Sequence, residues 1–132
     1  MNMFTKGLII DEPWINMILR GSKTWEMRKT GSKIRGAIAL IKKGSGQVVG
    51  TVNLVDSLPP LSAAAFAKRE KMHGVPPSMQ AMALSNGWRH PWVVADARPL
   101  TKPIPYNHPS GAVIWVNLGA DVVNAIRAQR SN

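Results

Sequence analysis

Apolar residues along the chain are grouped in short runs bounded by glycine, proline or polar residues, and such runs are typical of strands. The predicted strands are residues 7–10, 23–28, 36–43, 47–56, 92–98 and 112–118. Gly44-Ser45-Gly46 predicts a tight turn that joins two of them as a β-hairpin. The proline-containing segment 99–109 is predicted to be a loop.

Four segments between or after the strands have helical periodicity or helix-capping residues. They begin at or just after Asp11, Ser62, Pro76 and Asp121, and end near Gly21, Met72, Leu84 and Arg130. Strands and helices interleave without a regular βαβ rhythm, which favours a mixed α/β (α+β) fold with a small barrel over a doubly wound sheet. With 132 residues, the chain is predicted to be one domain, residues 1–132.

Composition narrows the classes of function. Hydrophobic residues make up 45% of the chain, so a packed core is expected. The absence of cysteine excludes disulfides, thiolate metal sites and cysteine nucleophiles, and is compatible with a reducing, cytoplasmic location. We expect no signal peptide and no membrane span, because no apolar run is long enough. No His-Glu-x-x-His or paired-carboxylate motif occurs, so neither a metal nor a cofactor is expected.

The charge of the chain points to a polyanionic partner. Lys and Arg number 17 against 7 Asp and Glu, which gives a net charge of +10. The basic residues are spread along the sequence rather than gathered in a tail. Charge alone does not separate RNA from DNA or from an acidic membrane surface.

The run from Gly21 to Arg28 is the densest cluster of chemically useful side chains. If it is a strand, Thr24, Glu26 and Arg28 share one face, with Trp25 and Met27 on the other, and Lys23 enters from the turn. A cation, an acceptor and a second cation along one edge could hold a planar polar ligand such as a nucleobase. The alternative is a solvated, charged edge strand. A phosphate-binding loop is disfavoured because serine separates the glycine from Lys23 and the order is helix to strand.

The same run carries a resemblance to a known family. Pro13-Trp14, Ile18, Leu19 and Gly21-x-Lys23-Thr24-x-Glu26-x-Arg28 resemble the signature of the ASCH domain. Further segments that fit are Arg35-Gly36, residues 46–55, Pro91-Trp92-Val93, and Lys102-Pro103-Ile104-Pro105-Tyr106 through Gly111 to Trp115. The resemblance therefore spans roughly residues 5–118.

The resemblance implies a fold and a range of activities. ASCH domains are similar to PUA domains, so it implies a small PUA-like β-barrel with flanking helices and a cleft for RNA or modified nucleosides. Family members are linked to RNA binding, to ribonuclease action and to amide hydrolysis of acetylated cytidine. In the amide-cleaving members the motif lysine is catalytic, a threonine stands where this chain has Glu26, and a further glutamate is required, for which Glu70 is the nearest candidate here.

Other residues complete the predicted site. Histidine is the readiest general base near neutral pH, so His73 joins Lys23 and Glu26 as a catalytic candidate, although a lone loop histidine is more often structural. Trp14, Trp92 and Tyr106 are candidates for stacking on a base, with core packing as the alternative for the tryptophans. The predicted ligand-binding or RNA-binding residues are Trp14, Thr24, Arg28, Arg35, Trp92, Tyr106, His108 and Ser110.

The sequence thus predicts an ASCH-like domain that binds single-stranded RNA or a modified nucleoside in a cleft lined by Lys23, Thr24, Glu26 and Arg28. Three versions stay open: a ribonuclease acting on single-stranded RNA, an amidohydrolase acting on an acylated cytidine-type nucleoside, and a non-catalytic RNA-binding or adaptor module. No membrane partner is expected, and the expected oligomeric state is a monomer or weak dimer.

Overall fold

The computed structural model describes residues 3–130, in which six strands and five helices occur. The strands are β1 (Lys6–Ile10), β2 (Trp25–Arg28), β3 (Gly36–Lys42), β4 (Gln47–Ser57), β5 (His90–Pro105) and β6 (Trp115–Asn117). The helices are α1 (Trp14–Leu19), α2 (Ala63–Lys68), α3 (Glu70–His73), α4 (Pro77–Ser85) and α5 (Ala120–Arg130). Within this part of the chain, no helix has the length and apolarity required to cross a membrane.

The strands form one mixed sheet in the order β2-β5-β4-β3-β1-β6. β1 pairs parallel to β3, and the other neighbours are antiparallel. Three register shifts interrupt the pairing of β4 with β5, and bulges of this kind increase the local twist of a sheet. The sheet therefore curls into a half-barrel flanked by helices, and the predicted α+β class with a small barrel is confirmed.

The predicted loop 99–109 is wrong over its first part, because β5 continues to Pro105. Val48 pairs with Ile104 and Gly50 with Pro99, so residues 100–103 bulge out of the ladder. A bulge tolerates proline, which lacks the N–H group that a regular ladder requires. This extension of β5 carries the following Tyr106 to the β3–β4 turn.

Two predicted helix boundaries also differ from those observed. The segment from Ser62 to Met72 is not one helix: α2 and α3 are separated at Arg69, whose φ of −115° is not helical. Ser62 does cap α2, since its side chain accepts a hydrogen bond from the backbone N–H of Ala65 at 3.1 Å. Asp121 lies inside the first turn of α5 rather than before it.

Three buried clusters hold the elements around the sheet. One joins β1, β3, β4 and β6 to α5, and includes Ile41, Val48 and Ile126. A second packs α1 against the other face of the sheet. A third packs β2, through Trp25 and Met27, against the region of α2 to α4. β2 is thereby fixed at the edge of the sheet, beside α1.

Candidate functional site

A cavity of about 810 Å³ lies where α1 and β2 face the β3–β4 turn and the loop between β5 and β6. Its lining residues come from all of these segments. They are Ile9, Asp11, Trp14, Lys23, Glu26, Met27, Arg28, Lys43, Gly44, Ser45, Gly46, Val75, Trp88, Tyr106, His108, Ala112 and Val113. We call the group Trp14, Lys23, Glu26 and Arg28 the β2 wall, and the group Gly44–Gly46, Tyr106, His108 and Ala112 the loop wall.

Lys23 is the most deeply buried charged group of the β2 wall, with 2% of its surface exposed. Its amine donates a hydrogen bond to the backbone carbonyl of His73. The same nitrogen lies 3.8 Å from Oε1 of Glu26 and 5.2 Å from the centre of the Trp14 ring. Burial lowers the pKa of Lys23 to about 8, because the nearby Glu26 charge only partly compensates for lost hydration and Arg28 adds a further lowering.

Glu26 is held between two cations. Oε2 accepts a hydrogen bond from Arg28 Nε at 3.1 Å and forms an ion pair with Nη2 at 2.9 Å. Arg28 Nη2 also donates to the backbone carbonyl of Ile9 at 2.8 Å, which ties β2 across the half-barrel to β1. Because both arginine contacts use Oε2, Oε1 is the carboxylate oxygen that faces Lys23. The β2 wall therefore presents an acceptor and a donor side by side, in a largely desolvated setting.

The side chains of the β2 wall are positioned by the turn after α1, by β2 itself and by Trp92. The turn after α1 returns the backbone so that the Lys23 N–H donates to the Met17 carbonyl at 3.2 Å. Glu26 and Arg28 are two residues apart in β2 and so project to the same side. Arg28 rests over the ring of Trp92, 5.4 Å from its centre, which limits where the guanidinium can lie.

The loop wall carries a second set of polar groups. The Tyr106 hydroxyl lies 2.8 Å from Nδ1 of His108, and Nε2 of His108 lies 2.9 Å from the Ala112 carbonyl. The Tyr106 N–H donates to the Gly46 carbonyl at 3.1 Å, which fixes this segment to the β3–β4 turn. Burial raises the pKa of the Tyr106 hydroxyl, so this group is neutral near pH 7.

The cavity brings together six of the residues that the sequence predicts for the site. They are Trp14, Lys23, Glu26, Arg28, Tyr106 and His108. Thr24, Arg35, His73, Trp92 and Ser110 do not line it. Thr24 precedes β2, so the strand alternation assumed for it does not apply, and its hydroxyl instead lies 3.7 Å from the sulfur of Met72.

His73 is fully buried, with both ring nitrogens engaged. Nε2 donates to the Phe66 carbonyl at 2.7 Å, and Nδ1 accepts from the Val75 N–H at 2.9 Å. Burial, the largest influence, lowers the pKa of His73. Its imidazole is stacked on Phe66 with ring centres 4.1 Å apart, and only its backbone carbonyl reaches the site, as the acceptor for Lys23.

The other predicted residues outside the cavity have different surroundings. Trp92 is 3% exposed, stacks on Trp115 and donates from Nε1 to the Thr30 carbonyl at 2.8 Å, so it supports Arg28 from behind. Arg35 is exposed and lies 3.7 Å from Asp56. Ser110 is exposed in the turn after β5.

Sequence reasoning missed several lining residues, above all Trp88, Lys43 and Asp11. Trp88 follows Asn86-Gly87, a helix stop that allows a ring to turn back toward the sheet. Lys43 begins the β3–β4 turn, and Asp11 follows β1 directly. Because β1 and β3 are parallel neighbours, with Ile10 paired to Lys42, both residues leave the sheet at the same edge. Among residues 3–130, no group of three acidic or histidine side chains is arranged to hold a metal ion.

Comparison with known proteins identifies the family to which this architecture corresponds. The ASCH domain matches residues 8–104, which is more than half of the chain. The fold is similar to the crystal structure of ASCH from Zymomonas mobilis, with a TM-score of 0.70, 12% identity and 93% of each chain covered. A comparison with curated proteins found no match.

Two mutants of the Zymomonas mobilis protein are similar in the same way. A tyrosine-to-phenylalanine mutant gives a TM-score of 0.70 at 12% identity, covering 93% of this chain and 96% of that one. A serine-to-alanine mutant gives 0.65 at 13%, covering 93% and 94%. At such identities the likeness establishes the fold.

Proposed function

Since this chain belongs to the ASCH domain family, whose domains are RNA-binding-like, we propose that it binds single-stranded RNA with one base in the cavity and cleaves the strand there. The observation that carries the proposal is the Lys23–Glu26–Arg28 cluster, in which Lys23 and Glu26 are buried, in the lining of a cavity to which two tryptophans, Trp14 and Trp88, also contribute. A free modified nucleoside would use the same contacts without the flanking phosphates.

The size and lining of the cavity suit a nucleobase. Its volume of about 810 Å³ lies within the range of small-molecule sites and exceeds what one base needs, so a sugar can enter as well. Base edges carry alternating donors and acceptors, which Glu26 Oε1 and the Lys23 amine complement. Stacking of a base on an aromatic ring contributes about 1–3 kcal/mol. Trp14 and Trp88 are the aromatic residues placed to provide it.

The net charge of +10 supports a polyanion rather than a free base as the ligand. Lys43, at the edge of the cavity, is exposed and able to meet a phosphate. Most affinity for a nucleic acid comes from such phosphate contacts, and they make binding steeply dependent on salt.

The hydrolytic part of the proposal depends on Lys23. With a pKa of about 8 the amine stays protonated near pH 7, yet it gives up its proton more readily than an ordinary lysine. It can therefore stabilise negative charge on a phosphate or protonate a leaving oxygen. Amide cleavage of an acylated cytidine is the less favoured version, because Glu70 is exposed on α3 and does not line the cavity.

The test incubates the purified protein with end-labelled single-stranded RNA over a range of salt and follows both retardation and fragments. We expect a complex that weakens as salt rises, and fragments that accumulate at low salt. Lys23→Met, which keeps an unbranched side chain but removes the amine, should reduce both the base-dependent affinity and the cleavage. The matched control is Lys102→Ala, an exposed lysine outside the cavity, which should leave both unchanged.

Three results would contradict the proposed function or favour an alternative to it. Neither retardation nor fragments at low salt would refute RNA binding. Release of acid from an N4-acylated cytidine, without any effect on RNA, would favour the amidohydrolase. Equal losses in Lys23→Met and Lys102→Ala would show that only general charge matters, not the cavity.

A further inference from the structure

The pair Tyr106 and His108 on the loop wall is built as a directed proton path. The Ala112 carbonyl can only accept, so Nε2 of His108 carries the hydrogen in the 2.9 Å contact. In the neutral imidazole Nδ1 is then an acceptor, and the Tyr106 hydroxyl donates to it across 2.8 Å. The remaining lone pair of the Tyr106 oxygen is free to accept a hydrogen bond from a ligand in the cavity.

The surrounding backbone holds this path in place. Tyr106 is fixed through its N–H to the Gly46 carbonyl, and its ring packs against the buried cluster beneath α5. The Ala112 N–H donates to the Pro109 carbonyl at 3.2 Å, which positions the carbonyl that His108 uses. The tyrosine and imidazole rings are 5.7 Å apart and tilted by 59°. A carbonyl that fixes the tautomer of a histidine also increases the basicity of its other nitrogen.

We infer that Tyr106 is a catalytic residue that accepts the proton of a ribose 2′-hydroxyl while passing its own to His108, which acts as a positioning residue and proton acceptor. The inference rests on the proposed function, because it assumes RNA in the cavity. In this mechanism the β2 wall binds the base and the leaving group, and the loop wall activates the 2′-hydroxyl nucleophile.

The resulting step balances. The 2′ oxygen forms a bond to the neighbouring phosphorus as its proton moves to Tyr106 and the tyrosine proton moves to Nδ1 of His108. The bond from phosphorus to the 5′ oxygen breaks, and that oxygen takes a proton from the Lys23 ammonium. The products are a 2′,3′-cyclic phosphate and a free 5′-hydroxyl. His108 loses its extra proton to solvent and Lys23 regains one.

Two observations favour the relay over direct action by either residue. Burial raises the pKa of Tyr106, so a tyrosinate is a poor candidate for the base and a downstream acceptor is needed. Nδ1 of His108 is occupied by the tyrosine, so the imidazole reaches a ligand only through it. The other ionisable groups that line the cavity are Asp11, Lys23, Glu26, Arg28 and Lys43.

The experiment compares Tyr106→Phe and His108→Asn with wild type, using a labelled RNA for cleavage and the same RNA with 2′-O-methyl groups for binding. Tyr106→Phe should lose about 100-fold or more in rate, as expected when acid–base catalysis is removed, with little change in binding. Asparagine can accept from Tyr106 but cannot take a proton. His108→Asn should therefore lose a similar factor and flatten the acidic limb of the pH–rate profile.

The outcomes separate this inference from the function on which it rests. Retained cleavage in Tyr106→Phe, or products that end in a 3′-monophosphate from the outset, would overturn the relay and leave RNA cleavage standing. Wild-type binding without cleavage would overturn the relay and leave RNA binding. No binding by wild type would remove both. Circular dichroism on each variant, with Lys102→Ala as control, identifies any loss caused by misfolding.

Discussion

The two walls of the cavity hold their polar groups by different physical means. On the β2 wall, Lys23 and Glu26 are 2% and 6% exposed. The Lys23 charge is stabilised by Glu26 and by the His73 carbonyl, and the Glu26 charge by Lys23 and Arg28. On the loop wall, His108 is exposed, and the polar groups are linked by hydrogen bonds without an ion pair. Removing a member of the first wall should therefore affect stability strongly, whereas changes in the second should act mainly on chemistry.

The largest expected effect on stability follows from Glu26→Ala. The substitution leaves Arg28 and Lys23 without their shared carboxylate in a desolvated site. Loss of one partner of a buried ion pair costs about 3 kcal/mol in the free energy of unfolding. Urea denaturation followed by circular dichroism measures this cost.

The matched control for Glu26→Ala is Asp56→Ala. Asp56 pairs with Arg35 at 3.7 Å, but both side chains are largely exposed. Pairs of this kind contribute little, so the change should stay within about 0.5 kcal/mol. If the two variants are equally stable, the charges of the β2 wall do not contribute to the stability of the fold. The proposed difference between the two walls would then be wrong.

The second effect is a dependence of stability on pH that originates at Lys23. Its pKa is about 8 in the folded protein and near 10.5 when the side chain is fully hydrated, so between these values the unfolded chain binds more protons. Stability should therefore rise with pH in this window, by at most about 1.4 kcal/mol per pH unit. Below pH 8 lysine is protonated in both states and contributes no slope.

The measurement is the difference in unfolding free energy between wild type and Lys23→Met from pH 7 to 10. Taking the difference cancels the other groups, among them Tyr106, whose raised pKa works in the opposite direction at higher pH. A difference that does not change with pH would mean that the amine is hydrated in the folded state. In that case Lys23 would be no better an acid than any surface lysine.

The charged residues of the β2 wall can be predicted from sequence, because they lie within the short segment 23–28. Glu26 and Arg28 are two residues apart, and strand alternation is enough to place them together. The position of Lys23 just before the strand predicts that it enters the site from the turn, but the carbonyl that holds its buried amine belongs to His73, 50 residues away. The ring of His73 is a plausible general base from sequence alone, and periodicity gives no sign that a lone histidine will be fully buried.

The loop wall could be predicted only in part. The sequence predicts Tyr106 and His108 as ligand-binding residues, but the hydrogen bonds that join them to each other and to Ala112 depend on a loop conformation that sequence does not reveal. The proximity of Tyr106 to Gly46 depends on β5 continuing through the bulge at residues 100–103. The prolines of segment 99–109 predict a loop, because no local sequence pattern distinguishes a loop from a strand bulge that tolerates proline.

The smallest expected effect is on the salt dependence of RNA binding, which should differ between a lysine of the β2 wall and a lysine beside the loop wall. Lys43, exposed at the β3–β4 turn beside the loop wall, should neutralise a phosphate, whereas the charge of the buried Lys23 is already balanced by Glu26, 3.8 Å away. For single strands each phosphate contact contributes about −0.7 to the slope of log K against log salt. Lys43→Ala should therefore reduce the magnitude of the slope by about 0.7. Lys23→Met should lower the affinity and leave the slope unchanged.

Fluorescence anisotropy of a 2′-O-methyl RNA at four or five salt concentrations gives both quantities without interference from cleavage. Lys102→Ala, on the β5 bulge and outside the cavity, is the control that should leave slope and affinity unchanged. An equal change of slope in Lys23→Met and Lys43→Ala would mean that both amines neutralise phosphates. The β2 wall would then be part of a continuous basic surface, and the reading of its buried cluster as a base-recognition site would have to be abandoned.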